Sequence, residues 1–214
     1  MVSQNRRYIF LGPQGSGKGT QAKMLADMLG LPHISTGDIF RAAVDQNTIL
    51  GHHIATGLSS GKLISDEDTN SLMADRLAAQ DAKNGFILDG YPRTMAQLEF
   101  LEQLAPPTKI FFLDLSDNEA VKRLVGRLVC SGCENVFHLA HKRPKIKGVC
   151  DNCGGELAQR DDDVETAIRE RLRLYHKETE PLISFYEKDG RLIRVDGRPD
   201  IKTVHKVVSE VLQL

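Results

Sequence analysis

A glycine-rich segment between a short apolar run and a run of helical character constrains this chain more than any other feature. It reads LGPQGSGKGTQAK from Leu11 to Lys23, and its four glycines surround one lysine. Glycine tolerates backbone conformations and close approaches that a Cβ atom prevents. The GxxxxGK spacing, after a strand and before a helix, is typical of a loop whose N–H groups and lysine hold polyphosphate. We therefore predict a phosphate loop whose ligand groups come from Gly12, Gly15, Ser16, Gly17, Lys18, Gly19 and Thr20.

Short apolar runs alternate with amphipathic segments along the chain. The apolar runs are YIFL from Tyr8, PHIS from Pro32, FILD from Phe86, KIFFLDL from Lys109 and RLIRVD from Arg191. Four of them are nearly continuous in apolar residues, as strands buried on both faces are. Helical segments are predicted over 18–29, 66–79, 118–128 and 203–212. This alternation predicts an α/β fold, with a parallel sheet of about five strands flanked by helices.

The overall charge argues against a protein whose main task is to coat nucleic acid or an anionic membrane. The chain has 28 Lys and Arg against 29 Asp and Glu, so a cationic site must be local. The apolar run near the N-terminus is too short for a signal peptide or a membrane span, and we expect a cytoplasmic protein. With 41% hydrophobic residues among 214, the chain can bury a substantial core.

Two segments interrupt the alternation and divide the expected core. Residues 35–64 contain helical pieces separated by Gly51, Gly57 and Gly61, and residues 128–163 hold all four cysteines. The core domain is then made of 1–34, 65–127 and 164–214. After the cysteine segment, 162–188 predicts a long helix with Val164, Ile168, Leu172 and Tyr175 on one face. Pro181 is expected to bend that helix or divide it.

A second polar signature follows one of the predicted core strands. In FILDGYPRT, Asp89 ends the strand and Arg93 follows a Gly-Tyr-Pro turn. Side chains at the carboxyl ends of parallel strands reach the crevice where ligands bind, and a carboxylate there can hold the water shell of a metal. Beside a phosphate loop, this pair predicts part of the same site.

The segments GPQGSGKGT, STGDIFR and LDGYPRTMAQ together resemble the adenylate kinase family of nucleoside monophosphate kinases, and the resemblance extends over essentially the whole chain. One departure is Gln14, where the family commonly has proline. The resemblance implies a transferase that moves a phosphoryl group reversibly from MgATP to AMP and yields two ADP. It also implies that 35–64 binds the acceptor and that 128–163 is a lid.

The resemblance assigns acceptor residues by position in this sequence. Thr36 would recognise the base, Arg41 and Arg93 would bind the AMP phosphate, and Gln97 would hydrogen-bond the adenine edge. An amide offers both a donor and an acceptor, as adenine requires. The full implied AMP set is Thr36, Gly37, Arg41, Lys62, Leu63, Ile64, Gly90, Arg93, Gln97, Arg160 and Arg171.

The donor and catalytic residues are implied in the same way. Beyond the phosphate loop, ATP would contact Arg123, Arg127, Val136, Phe137, Arg198 and Pro199. Phe137 could equally form a small core of the cysteine segment. The implied catalytic set is Lys18, Asp89, Arg93, Arg123, Arg160 and Arg171. Asp89 would orient water bound to Mg²⁺, and Thr20 would contact phosphate because Gly19 follows the lysine.

The four cysteines form two CxxC pairs, Cys130 with Cys133 and Cys150 with Cys153, separated by sixteen residues. This spacing is typical of a tetrahedral four-thiolate metal site. The alternative is two disulfides, which are rare in intracellular proteins because the reducing environment keeps thiols reduced. We expect structural zinc, because four thiolates leave no open coordination position; iron or cobalt would fit the same ligands. The metal would cross-link a segment too short to build a core of its own.

Two rival interpretations remain at the level of sequence. A related kinase would use GTP as donor, or UMP or CMP as acceptor, whereas Thr36 and Gln97 favour AMP. A zinc-ribbon binding module on a nucleotide-regulated switch would need a basic face with aromatic stacking groups, but only 6% of residues are aromatic. The resemblance implies ATP, AMP and ADP as partners, without nucleic acid or membrane, and it implies a monomer.

Overall fold

The structure is a computed structural model that describes residues 6–45, 51–52, 54–55, 64–133, 135–140 and 142–214. Within that part of the chain, no helix is long and apolar enough to cross a membrane. The strands are β1 (Arg6–Leu11), β2 (His33–Ser35), β3 (Gly85–Asp89), β4 (Lys109–Asp114), β5 (Arg127–Cys130), β6 (Val136–His138), β7 (Leu157–Ala158) and β8 (Leu192–Asp196). The helices are α1 (Lys18–Leu29), α2 (Thr36–Asp45), α3 (Asp66–Ala78), α4 (Met95–Leu104), α5 (Asp117–Val125), α6 (Glu165–Leu174), α7 (Glu180–Lys188) and α8 (Ile201–Val211).

Five strands form one parallel sheet in the order β2-β3-β1-β4-β8. This confirms the predicted α/β fold and all five predicted strands. Phe10 of β1 is in register with Asp89 of β3, and Leu11 is in register with Phe112 of β4. The carboxyl ends of these neighbouring strands therefore lie along one edge, and the glycine-rich loop leaves β1 at the centre of that edge.

Alternating residues of β1 explain why the strands are nearly continuous in apolar residues. Ile9 and Leu11 belong to one buried cluster, while Tyr8 and Phe10 belong to the cluster on the opposite face. Helices cover both faces, so neither set of side chains faces water. Phe10 also stacks on Phe111 of β4, with ring centroids 5.1 Å apart. The sheet thus forms a rigid platform beneath the loops at its edge.

Two predicted helices differ from the structure. The segment 118–128 was expected to be helical throughout, but α5 ends at Val125 and β5 begins at Arg127. Gly126 ends α5 against His138, where a Cβ atom would lie 2.5 Å from the imidazole ring. The helix expected over 162–188 begins only at Glu165, and a π turn (Tyr175–Thr179) separates α6 from α7 with Pro181 in the first turn of α7.

The predicted inner face of that helix is partly wrong. Ile168, Leu172 and Tyr175 are buried, but Val164 precedes α6 and is 53% exposed. The cysteine segment folds as a small antiparallel sheet in the order β6-β5-β7, with Cys130, Phe137, Cys150 and Leu157 buried together. The division into core, acceptor insert and lid remains a prediction, since of 35–64 the structure describes only 35–45, 51–52, 54–55 and 64.

Candidate active site

The phosphate loop joins β1 to α1 and needs glycine at its tightest point. Gly12 has φ 138°, and a Cβ atom there would lie 2.4 Å from the backbone oxygen of Leu113. Gly17 precedes α1 in the left-handed conformation, with φ 97°, and no side chain caps the helix. The first N–H groups of α1 are therefore left available to an anion.

Lys18 lies at the centre of the charged residues around this loop. Its Nζ donates hydrogen bonds to the backbone oxygens of Gly12 at 2.7 Å and Pro13 at 2.8 Å. Burial of the ammonium group lowers the pKa of Lys18 to about 8, against the opposing effect of Asp89 and with help from the cation Arg93. A lysine held so close to other cations is one that an added polyphosphate would stabilise.

Asp89 occupies the position at the end of β3 that the sequence predicts, and Gly19 makes room for it. A Cβ atom on Gly19 would lie 2.9 Å from Oδ2 of Asp89. The Nε2 atom of His33 lies 4.0 Å from the same oxygen and is buried without a hydrogen-bond partner among the described residues. The carboxylate is thus confined between α1 and β2, beside the loop.

Arginines from separate segments converge on this region. The Nε of Arg93 donates to the backbone oxygen of Gly90 at 2.7 Å, and burial is the main reason that the pKa of Arg93 is lowered. The positive charges of Arg171 and Arg41 lower the pKa of Arg93 further, because both lie close enough to repel its guanidinium. Burial, with Arg127 and Arg41 as neighbouring cations, lowers the pKa of Arg160 to about 10. Several like charges are therefore held together at a cost in electrostatic repulsion.

Two aspartates balance part of this positive charge. Asp163 accepts two hydrogen bonds from Arg127, each at 2.7 Å, and one from Arg171 at 3.2 Å. Asp162 pairs with the same Arg171. The Nε of Arg171 and the Oγ of Ser16 are buried without a partner in the described part of the chain. Such orphaned donors are what phosphate oxygens satisfy.

The predicted acceptor residues meet around the turn after β3. The hydroxyl of Thr36 donates to the backbone oxygen of Gly90 at 2.8 Å, and Arg41 pairs with Asp38 beside Gly37. Gln97 is buried, and both ends of its amide bond to the protein. Ile64 is described as a partly buried residue before α3, whereas Lys62 and Leu63 lie outside the described residues.

The predicted donor residues are more dispersed. Arg123 donates to the backbone oxygens of Gly197 at 2.9 Å and Arg198 at 3.0 Å, which ties α5 to the turn that follows β8. Arg198 itself pairs with Asp196, and Pro199 follows in the same turn. Phe137 is buried in the small core of the cysteine segment, as the second interpretation of the sequence had it, while Val136 is partly buried.

The four cysteines form a second candidate site, apart from the phosphate loop. Their Sγ atoms all lie within 4.8 Å of one another, and each is a free thiol. The backbone N–H groups of Gly132 and Asn152 donate to Cys130 and Cys150, each at 3.4 Å. N–H groups directed at sulfur stabilise the thiolate form that binds metal, so this arrangement fits a tetrahedral metal ion.

Comparison with known proteins shows the family to which the chain belongs. The family model described as Adenylate kinase matches residues 10–191. The chain belongs to the adenylate kinase family. It is 43% identical over 210 residues to an adenylate kinase of Thermosipho africanus, with 96% of this chain and 98% of that protein covered. It is 47% identical to one of Treponema denticola over 89% of this chain and 91% of that protein.

A further relative, an adenylate kinase of Archaeoglobus fulgidus, is 44% identical over 96% of this chain and 97% of that protein. The sequence analysis of this adenylate kinase family member missed one residue that contacts a predicted site residue. Asp66 contacts Gln97 directly, at 2.8 Å. In the sequence it stands in SDED, which is a helix start, and the only hint of another role was its charge.

Proposed function

We propose that the protein catalyses reversible transfer of the terminal phosphoryl group from MgATP to AMP, giving two ADP. The observation that carries this proposal is the gathering of Lys18, Arg93, Arg160 and Arg171 beside a phosphate loop. Bringing two polyanions together requires many fixed cations, since charge stabilisation and alignment supply most of the catalysis. A switch that binds only one nucleotide would not need so many fixed cations.

In this proposal each charged residue has a defined part. Lys18 and the loop N–H groups hold the donor phosphates, Arg93 and Arg41 hold the AMP phosphate, and Arg123, Arg160 and Arg171 offset charge on the transferring group. No general base is needed, because the acceptor oxygen is already ionised at neutral pH. The orphaned donors on Ser16 and Arg171 support this assignment, since nucleotide phosphates would satisfy both.

Two metals belong to the proposal. Asp89 fits a role toward Mg²⁺, because its carboxylate lies between α1 and β2 next to the phosphate loop and hard cations prefer oxygen ligands. When bound with ATP, Mg²⁺ neutralises phosphate charge. Zinc is proposed for Cys130, Cys133, Cys150 and Cys153, where it would be structural.

Water must be kept from the site, or ATP would be hydrolysed. We infer that 128–163 acts as a lid over ATP and 35–64 as a closing insert over AMP, which excludes water before transfer. We also infer that the protein works as a monomer in the cytoplasm, as its family resemblance implies. Thr36 and Gln97 favour AMP over UMP or CMP.

The test is a ³¹P NMR time course with purified protein, Mg²⁺, ATP and AMP, repeated with GTP as donor and with UMP and CMP as acceptors. We expect ADP to form from ATP and AMP only when Mg²⁺ is present. The matched control replaces Lys18 with Met and should lose the reaction. Inorganic phosphate without ADP formed from AMP, or no reaction in folded protein, would contradict the proposal and favour a switch with a zinc-ribbon binding module.

A further inference from the structure

Asp66, in the first turn of α3, holds one end of the Gln97 side chain. The Oδ1 atom of Asp66 accepts hydrogen bonds from Nε2 of Gln97 at 2.8 Å and from the hydroxyl of Thr94 at 2.9 Å. The other end of the amide, Oε1, accepts from the backbone N–H of Arg93 at 2.8 Å. Gln97 is only 2% exposed. Its amide is therefore fixed at both ends.

The chemistry of the two partners determines which way round the amide lies. A carboxylate only accepts hydrogen bonds, and a backbone N–H only donates them. A turned amide would place Oε1 against Asp66 and the NH₂ group against the N–H of Arg93, which breaks both bonds. Thr94 adds to this polarity, because its hydroxyl donates to Asp66 and accepts from the N–H of Gln97 at 3.2 Å.

The fixed amide keeps one N–H on Nε2 and one lone pair on Oε1 that these contacts do not use. A 6-aminopurine presents an acceptor at N1 and a donor at the 6-position, which match this pair. A 6-oxopurine presents the reverse, a donor at N1 and an acceptor at the 6-position. To pair with a 6-oxopurine bound in the same position, the amide would have to turn over, so that Oε1 and the NH₂ group exchange places.

We propose that Asp66 is a positioning residue that selects 6-aminopurine over 6-oxopurine monophosphates by fixing the sense of the Gln97 amide. This inference rests on the proposed function and extends it to a residue outside the predicted site. Asp66 also belongs to the acidic first turn of α3, with Glu67 and Asp68, whose negative charges stabilise the positive end of the helix dipole. The exposed Glu67 lies in the same turn and is not among the described hydrogen-bond partners of Gln97, so it provides a control.

The experiment compares kcat/KM for AMP and IMP in the unaltered protein, Asp66→Asn and Glu67→Gln. Both variants remove one negative charge from the same turn. In Asp66→Asn only the N–H of Arg93 still opposes a turned amide, and we expect the AMP-to-IMP ratio to fall at least about tenfold, through KM for the monophosphate and not KM for ATP. Glu67→Gln should keep the ratio. An unchanged ratio in folded Asp66→Asn would overturn the inference.

A second variant tests whether Asp66 acts through Gln97. In a Gln97→Ala background, adding Asp66→Asn should leave the ratio where Gln97→Ala alone puts it. A further fall would mean that Asp66 acts by another route and would overturn the inference. If the unaltered protein phosphorylates no AMP, the proposed function itself fails, which distinguishes the two failures.

A measurement on the unaltered protein avoids any loss of folding. The two Nε2 protons of Gln97 give separate signals in a ¹⁵N-resolved NMR spectrum. We expect AMP to shift one proton and leave the other, bonded to Asp66, nearly in place. IMP should leave both nearly in place. Equal shifts of both protons with AMP, or the same response to IMP, would overturn the inference.

Discussion

Arg127 and Asp163 form a bidentate ion pair, in which Nε and one terminal nitrogen of the guanidinium each lie 2.7 Å from a carboxylate oxygen. Arg127 begins β5 and Asp163 precedes α6, so the pair joins the two ends of the cysteine segment. The side chain of Asp163 has no solvent exposure and also accepts a hydrogen bond from Arg171. One buried carboxylate thus connects the base of the segment to a predicted catalytic arginine.

Replacing Asp163 with Asn should destabilise the protein by about 3 kcal/mol, because two partly buried arginines lose their shared anion. Urea unfolding at neutral pH measures the change in the free energy of unfolding. The control is Asp161→Asn, which removes the same charge from an exposed neighbour. Equal effects of the two substitutions would show that the buried pair contributes nothing beyond its charge.

Arg93 tests the role of the gathered cations. In Arg93→Ala, kcat/KM for ATP and AMP should fall about 10²- to 10³-fold, as for loss of one preorganised charge contact to the reacting group. The folded state should persist, as circular dichroism would check. Arg76→Ala, which removes a pair with Asp81 on the surface, should leave the rate unchanged. Near-normal turnover in folded Arg93→Ala would remove Arg93 from the catalytic set.

The parallel sheet could be predicted because its buried strands are recognisable from short runs of apolar residues. Phe86 to Leu88 and Ile110 to Leu113 are buried on both faces, and such strands are apolar at every position. The phosphate loop was predictable because its GxxxxGK spacing lies in one short segment between β1 and α1, even though Gly12 contacts Leu113 of β4 and Gly15 contacts Ala120 of α5. Local pattern and tertiary environment agree at these positions.

Other features depend on contacts that sequence spacing does not reveal. Asp66 and Gln97 are separated by 31 residues, and only the fold brings α3 and α4 together there. The end of α5 at Gly126 follows from the approach of His138, which lies on β6. Phe137 satisfied two interpretations because an aromatic residue near cysteines suits both a nucleotide contact and a small core.

If zinc binds the four cysteines as proposed, its removal should weaken the cysteine segment and lower the thermal midpoint of the protein. A chelator strips the metal, and zinc at about 1,000 times its Kd should restore about 4 kcal/mol of stability. Cys153→Ser should lower the amount of bound zinc measured by elemental analysis. Ser131→Ala, which lies in the other CxxC pair but removes no thiolate, should keep one ion per chain. Undiminished zinc in Cys153→Ser would contradict four-thiolate binding.

Burial of the charged Lys18 should lower the free energy of unfolding, although the proposed function requires this lysine. Because burial lowers its pKa to about 8 from an ordinary value of 10.5, the unfolded state binds more protons between these values, and stability rises with pH across that window. Below pH 8 the penalty is complete, up to about 3 kcal/mol before the two hydrogen bonds to the loop are counted against it.

We therefore expect Lys18→Met to be about 1 kcal/mol more stable than the unaltered protein at pH 7 and about 1 kcal/mol less stable at pH 10, because by then most of the penalty is gone while the two hydrogen bonds remain lost. Phosphoryl transfer should be lost at either pH. Urea unfolding at pH 7 and pH 10 measures the difference at both ends of the window. Lys23→Met replaces an exposed lysine on the same helix and should change stability equally at both pH values. A variant less stable at pH 7 than at pH 10, relative to the unaltered protein, would show that the folded state favours the charged lysine.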